Sequence, residues 1–492
     1  MERHVLVLDY STTFGRAVLA HYNGERLQLE DVHRFENEPV RIGDTIFWDV
    51  LRLLHELKTS LLRANFISEL ESLAIDTWGE DYGLLSTDGT LLDNPQCGRK
   101  EVQEKEQKTL YSATKFYEKT GMLPITTSTL FQLSVQIKKQ PSLFTLTDTM
   151  LPIADLLAYF LTNVATTDAA SASITQLYNI TEKTWDSTLC RQFSIPETIL
   201  PEIVPCASCK GMLTPAVCQE LSIPSAKVLS VCGKDTQCAT LAVPANPDQP
   251  FLFLQCGIST LFGTELQEPI LTEQAASYGF SNLTGYGGTV TLQKRIAGLF
   301  LIQETRRYYR EQGEPYSYAK LEELALAASP LQCFIDPNDP MFLLSGNLPQ
   351  KVQTYCRKTG QYVPKEVGEI VRCIYESLAL QHRKTMEEIQ SCTNISYSVI
   401  HVVGIGAKDP LLCQMTADIC QIPVVAGPID ATIYGNAALQ LLAMGILADT
   451  AHARRIISQS EMLRKFKPKA DCFDAYDTFS AILKKAKSLP IS

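Results

Sequence analysis

Apolar and polar positions fall in blocks along this chain, and two of the blocks share one layout. His4–Arg16 opens with the unbroken apolar run Val5-Leu6-Val7-Leu8, then Asp9, then Ser11-Thr12-Thr13, then Gly15. Phe251–Gly263 opens with Phe251-Leu252-Phe253-Leu254, then Gly257, Ser259 and Thr260, then a further apolar stretch. Each run suits a strand covered on both faces, and each Ser/Thr/Gly cluster suits a tight turn. Turns of this kind aim hydroxyls and backbone N–H groups at phosphate. One in each half suggests a duplicated fold that grips a single nucleotide from two sides; the plainer reading is a pair of unrelated buried hairpins.

The remaining periodicity predicts an α/β order. Val5–Asp9, Ala17–Tyr22 and Leu27–Phe35 read as a three-strand meander with Asn23-Gly24 at a hairpin turn. Asp49 suits the cap of a helix through Arg63, with Leu51, Leu54, Leu57 and Leu61 at helical spacing. Leu73–Asp76 and Tyr82–Ser86 are strands, and 110–160 reads as largely helical with breaks near Pro124 and Pro141. Val228–Val231 is a short strand ending at Cys232-Gly233-Lys234-Asp235. In the second half, Gly288–Gln293, Val399–Val403 and Pro423–Ala426 are strands. Val367–Gln390, Leu411–Cys420 and Ala431–Ile446 are helices, the first with Ile370, Val371, Ile374, Leu378 and Met386 on one face. The tail after Arg454 reads as basic and helical. Strands, a helix and strands again make a mixed sheet.

Composition narrows the function classes. The chain has 492 residues, 45% hydrophobic and 20% charged, which allows two to four domains. A net charge of −10 argues against a nucleic-acid partner. Ala431–Ala448 carries Asn436 and Gln440 and suits a buried helix rather than a membrane span. No cleavable leader pattern follows Met1–His4, so a cytoplasmic location without membrane attachment is expected. Fifteen cysteines, an odd number spread along the chain, favour buried thiols over a disulfide framework. Cys206-Ala-Ser-Cys209 has metal-ligand spacing but no second pair to complete four ligands.

Several short segments then carry a resemblance in their order and spacing. They are Asp9 through Gly15-Arg16, Phe47-Trp48-Asp49, Ile75-Asp76-Thr77-Trp78-Gly79, Thr129-Leu130-Phe131-Gln132-Leu133 and Thr175-Gln176-Leu177. Lys234-Asp235-Thr236, Pro337-Asn338-Asp339, Ala426-Gly427-Pro428, Ala431-Thr432 and Gly435-Asn436 continue the set. Together they resemble the FGGY family of carbohydrate kinases, most closely its rhamnulokinase branch, over residues 4–460 or so. The resemblance implies two duplicated ribonuclease-H-like (actin-like ATPase) domains, α/β, with mixed five-stranded sheets and a cleft between them. The implied boundaries are 1–243 for a sugar-binding domain, 244–460 for a nucleotide-binding domain and 461–492 for a helical tail.

It also implies ATP and Mg²⁺, a sugar as the other substrate, and residue roles. Asp235, just past a strand at a helix start, matches the base that takes the proton of the sugar hydroxyl; without the family it reads as a helix cap. Asp9 matches the carboxylate that organises Mg²⁺ through water. Ser11, Thr12, Thr13, Gly15 and Arg16 match the first phosphate loop, and Gly257, Ser259 and Thr260 the second. Gln303, Gly404 and Gly406 match nucleotide contacts. Trp78, Gly79, Asp81, Arg99, Lys234, Thr236 and Arg295 fall at the sugar site, although a buried Trp is more often core.

The departures from the family pattern point two ways. Ser11 stands where a Gly is usual, Phe14 where a Ser is common, Ile258 where a Thr faces phosphate, and Ile405 interrupts a run of three glycines. They motivate an alternative, a weak or silent relative that acts as a ligand-binding or regulatory protein. An actin-like ATPase of the chaperone or filament kind shares the fold but not the Thr77-Trp78-Gly79 and Lys234-Asp235-Thr236 elements. On the sugar side, Lys234 replaces a His, Arg295 an Asn, and Lys100 an Asp, so an acidic sugar is one expectation. The plainer one is that Lys100 and Arg295 face solvent while Lys234 pairs with Glu80 or Asp81. A homodimer would be unsurprising.

Overall fold

The structure is a computed structural model and describes residues 2–98, 112–469 and 473–488. They form two compact units that interleave along the chain. The first unit comprises Met1–Pro247, Glu265–Leu292 and Asp430–Glu461; the second comprises Asp248–Thr264, Gln293–Ile429 and Met462–Ser492.

In the first unit the apolar run becomes the strand Arg3–Tyr10, with Val5, Leu6, Val7 and Leu8 wholly buried. Its sheet has the order Cys209–Met212, Lys227–Leu229, Ser72–Asp76, Arg3–Tyr10, Phe14–Tyr22, Leu27–Glu36. Arg3–Tyr10 pairs antiparallel with Phe14–Tyr22 and parallel with Ser72–Asp76, which puts Asp9 opposite Asp76. A strand with neighbours on both edges and layers on both faces has no wet side, which explains the unbroken apolar run. The helix Val50–Ile67 starts where Asp49 accepts from Arg52 N at 3.0 Å. Its buried stripe is Val50, Leu53, Leu57, Leu61 and Ala64, so Leu51 of the expected repeat faces solvent.

The stretch expected to be largely helical holds helices at Ala113–Thr120, Thr129–Lys139, Pro141–Leu146 and Ile153–Thr162. It also holds a strand, Thr147–Pro152, paired antiparallel with Tyr82–Ser86. The helix Ala431–Ala443 belongs to this unit because Gly435 lets it touch the backbone of helix Asp235–Leu241. A Cβ at Gly435 would lie 1.8 Å from Cys238 O.

The second unit repeats the pattern. Leu252–Cys256 pairs antiparallel with Ser259–Leu266 and parallel with Ile400–Val403, which pairs parallel with Val424–Ala426. Val290–Ala297 flanks Ser259–Leu266, and Arg464–Phe466 pairs antiparallel with Val424–Ala426. Both sheets thus share the same central order, with Arg3–Tyr10 and Leu252–Cys256 as counterparts. Each has more than the five strands expected, because Cys209–Met212 and Arg464–Phe466 cover what would be open edges. The tail is a strand followed by the helix Phe473–Ser488 rather than helix throughout. The helix Val367–Thr393 begins in a capping box between Glu366 and Glu369 and buries Ile370, Val371, Ile374, Leu378 and Met386 as its periodicity predicts. No helix among the described residues is long and apolar enough to cross a membrane.

Two buried titratable contacts set stability predictions. In the first unit Lys210 Nζ donates to Asp155 Oδ1 at 2.6 Å and to Thr166 O at 2.7 Å, with both side chains of the ion pair under 4% exposed. Lys210→Met leaves Asp155 charged and dry and should cost about 3–5 kcal/mol in chemical denaturation. Adding Asp155→Leu should return most of that loss.

In the second unit His382 is buried, with Nδ1 2.9 Å from Thr416 Oγ1, and burial pushes its pKa down to about 3. The unfolded chain takes this proton near pH 6.5 and the native state does not, so stability falls as the pH drops below 6.5. The slope approaches about 1.4 kcal/mol per pH unit. His382→Gln should therefore reduce the loss between pH 7 and pH 5 by about 2 kcal/mol in urea titrations.

Candidate active site

Three neighbouring parallel strands of the first unit end together, and their ends carry the chemistry. Asp9 lies near the end of Arg3–Tyr10, and Asp76 ends Ser72–Asp76. The chain after Lys227–Leu229 runs to Lys234 and Asp235. The ladder continues beyond the strands: Thr77 N donates to Gly233 O at 3.1 Å, and Asp235 N to Thr77 O at 3.2 Å. Asp235 is then the first residue of a helix, and its Oδ1 accepts from Thr236 N at 2.7 Å. The residue that caps this helix is Lys234, without a side-chain cap bond, so Asp235 is not the helix cap that it reads as without the family.

Asp76 is wholly buried and is held from behind by a chain of amides. Asn436 Nδ2 donates to its Oδ2 at 2.6 Å, and Gln440 Nε2 donates to Asn436 Oδ1 at 2.8 Å. Gln440 is fixed in turn by Leu6 O at 3.0 Å and by Ser72 Oγ at 2.7 Å. Burial first, and then the charge of Asp9, push the Asp76 carboxyl well above the ordinary range. Burial and then Asp235 raise Asp9 to about 6. Burial and mutual repulsion disfavour the charged forms of these carboxyls, and a hard divalent cation among their oxygens would restore them, so Mg²⁺ fits the set.

A wall of aromatic and polar groups adjoins these carboxylates in sequence. Trp48 and Trp78 pack with ring centroids 4.3 Å apart. Both indoles donate to Asp81 Oδ2, at 2.6 and 2.9 Å, while Gln132 Nε2 and Gly98 N reach Asp81 Oδ1 at 2.9 and 3.0 Å. Asp81, expected at the sugar site, has four donors on its two oxygens and holds the tryptophans in place. Lys234 Nζ donates to Trp78 O and lies 3.3 Å from Glu80 Oε1, and its stem covers Gly79, whose φ is +99°. Thr236 sits at the start of the Asp235 helix. Arg99 and Lys100 lie outside the described residues.

The first turn joins Arg3–Tyr10 to Phe14–Tyr22. Ser11 Oγ donates to Phe14 O at 2.9 Å and accepts from Phe14 N at 3.1 Å, so the serine closes the turn upon itself. Asn37 Nδ2 fastens it from outside through Ser11 O at 2.7 Å. Thr12 and Thr13 form the tip. Gly15 gives way to the Phe35 ring, and Phe14 lies under the Arg34 guanidinium at 4.7 Å. Arg16 was expected at phosphate, but Asp31 and Asp430 each hold its guanidinium at 2.6 Å. Burial opposes its charge, and the two carboxylates outweigh that and raise its pKa.

In the second unit the counterpart turn follows Leu252–Cys256. Gly257 N donates to Ser259 O at 3.1 Å, Thr260 is buried, and Ile258 projects outward. Arg295 is exposed and donates to Ser259 Oγ at 2.7 Å, so within this unit it belongs with the turn. Gly404, at φ +82°, and Gly406 press on the end of that strand, where a Cβ would meet Cys256 O at 3.1 Å and Cys256 Sγ at 2.2 Å. Ile405 between them is half-exposed, and Gln303 lies in the first turn of helix Phe300–Glu311.

Comparison with known proteins decides the lineage. Residues 4–242 match the N-terminal domain, and residues 252–444 the C-terminal domain, of the FGGY family of carbohydrate kinases. The chain belongs to that family. It is an ATP-dependent sugar kinase. It is 33% identical to the rhamnulokinase of Bacteroides thetaiotaomicron over 472 residues, covering 95% of this chain and 96% of that one. To the rhamnulokinase of Enterococcus faecalis it is 35% identical over 467 residues, covering 93% of each. A Plasmodium falciparum glycerol kinase solved with ADP shares the fold at TM-score 0.81 and 16% identity, covering 99% of both chains. A Lactobacillus acidophilus xylulose kinase does so at TM-score 0.80 and 16% identity, covering 99% and 97%.

The kinase's structure adds residues that sequence reasoning did not place at the site: Asp76, Trp48, Gln132, Asn37 and the Asn436–Gln440 pair. Asn436→Ala removes the donor that fixes Asp76 against Asp9 while leaving the tryptophan wall intact. Steady-state ADP release should show kcat down about 10–100-fold, the usual cost of losing an outer-shell partner, with KM for sugar little changed.

Proposed function

We propose that this kinase phosphorylates a neutral ketose of the rhamnulose class, with Asp235 as the base. The observation that carries the substrate reading is the state of Lys234. Its ammonium already faces Glu80 and the Trp78 carbonyl, so it brings no uncompensated positive charge to the sugar. Arg295 is engaged at Ser259. The acidic-sugar expectation loses its described cations, while rhamnulokinases from several bacteria match nearly the whole chain.

In the proposed reaction the sugar hydroxyl attacks the γ-phosphorus in line. The new O–P bond forms as the bond to the ADP oxygen breaks, and the hydroxyl proton passes to the Asp235 carboxylate. Asp9, held by Asp76, would keep Mg²⁺ through water, and the ion would supply neutralising charge at the phosphates. The backbone N–H groups of the Ser11–Thr13 and Gly257–Ser259 turns, Arg295, Gln303 and the Gly404–Gly406 approach are the proposed nucleotide contacts. Trp78 offers an apolar face to the C–H side of the sugar, with Gly79 and Thr236 beside it. The silent-relative reading is not retained: Ser11 and Phe14 are absorbed by the turn and by Arg34, and both Asp9 and Asp235 are kept.

ADP release with Mg-ATP against neutral ketoses, polyols and sugar acids tests the reading. Turnover should be confined to neutral deoxyketoses, and Asp235→Asn should lower kcat about 10²–10⁴-fold while ATP still binds. Turnover only with sugar acids would overturn the substrate class. ATP binding without turnover on any sugar would restore the silent relative.

A further inference from the structure

Three thiols from three separate segments of the second unit meet in its interior. Cys356 lies on the helix Leu348–Lys358, Cys373 on Val367–Thr393, and Cys333 in the segment between helices at Tyr318–Ala327 and Pro340–Leu343. All three are buried, and their sulfurs lie within 4.8 Å of one another. Cys333 is not there by chance of a floppy loop. Leu331 N donates to Glu376 Oε2, Phe334 N to Gln361 Oε1 and Ile335 N to Ser377 Oγ, at 2.9, 2.8 and 2.9 Å. These bonds pin its segment on both sides. A cavity of about 140 Å³ is lined by Cys333 and Cys373, so a small solute comes up against two of the three cysteines, with Cys356 behind them.

The surroundings select the ion. No fourth His, Asp or Glu ligand joins the three sulfurs among the described residues, which disfavours the four-coordinate sites zinc takes. Glu369 and Glu376 line the cavity, and its one cation, Arg372, is bound to Glu376 at 2.6 Å. A buried cluster beside two carboxylates tolerates little added negative charge. Three thiolates on a monovalent ion leave two negative charges, on a divalent ion one, and on a trivalent ion none.

We propose that Cys333, Cys356 and Cys373 form a three-sulfur site for a thiophilic trivalent metalloid, with arsenic(III) as the probe. Neutral arsenous acid enters, three S–As bonds replace three As–O bonds, and each thiol proton leaves with a hydroxide as water. No oxidant is needed and no net charge is buried. Binding ties three segments of the second unit together and should raise its melting temperature.

The test uses the full-length, reduced kinase with one equivalent of arsenite. Expected are one arsenic per chain, an X-ray absorption spectrum with three As–S bonds, and a higher melting temperature. Cys333→Ser and Cys373→Ser should each weaken binding by at least the roughly 10–100-fold that even outer-shell partners carry. Cys206→Ser should bind as the parent does. Unchanged sugar-dependent ADP release by the arsenic-free variants checks that they fold. Undiminished arsenic in Cys333→Ser would overturn the site. So would tighter retention of zinc(II), or a Cys356–Cys373 disulfide that consumes two of the thiols in the purified protein. None of these outcomes depends on which sugar is phosphorylated.

Discussion

The first unit depends on one strand pairing. Because Arg3–Tyr10 lies parallel to Ser72–Asp76, with Asp9 opposite Asp76, two carboxyl groups meet at the edge of a wholly apolar layer. Isolated there, a second negative charge would be costly. The pairing is tolerable because burial and Asp9 push Asp76 toward its neutral form and because Asn436, braced by Gln440, donates to it from the helix Ala431–Ala443. That helix in turn touches the helix headed by Asp235 at Gly435. One register thus places Asp9, the carboxylate proposed to hold Mg²⁺, beside the strand ends that lead to Asp235, the proposed base.

The second unit uses the same sheet order for a different end. Leu252–Cys256 and Ile400–Val403 finish side by side, and beyond their ends lies backbone held close by Gly404 and Gly406 rather than a cluster of charges. Backbone that glycine allows to be approached closely suits the proposed nucleotide, whereas carboxylates suit the cation proposed to accompany it. The duplicated frame has been filled with complementary chemistry.

The central strands were legible because burial on both faces leaves an unbroken apolar run, as in Val5–Leu8 and Phe251–Leu254. Thr147–Pro152 was not, because Thr-Asp-Thr-Met-Leu-Pro alternates weakly and comes after a helix begun at Pro141. Helix 50–67 was legible at its Asp49 start but runs four residues past the expected Arg63, and its face was not legible: leucines at 51, 53, 54, 57, 61 and 62 offer two stripes, and packing picks one. At the site, Asp9 and Asp235 were readable as carboxylates at strand ends. The partners of Arg16 and Asp81 were not readable, because Asp430, Trp48 and Gln132 come from distant segments. The cysteines show the same limit. Cys206 and Cys209 drew notice by spacing, but Cys206 donates to Asp168 and Cys209 is exposed, while the three that meet are scattered over forty residues.

The saturation of Asp81 has a consequence for selectivity. With both indole N–H groups, an amide and a backbone N–H converging on one buried carboxylate, neither Trp48 nor Trp78 has a rotamer left to lose. A flexible aromatic wall gives up entropy each time a ligand settles, and it can do so for many shapes. A wall already frozen gives up none, but it cannot reshape itself. With Trp78 in its proposed place against the sugar, sugars that differ in the stereochemistry of one carbon would be sorted by fit against a fixed surface rather than by how well the protein adapts.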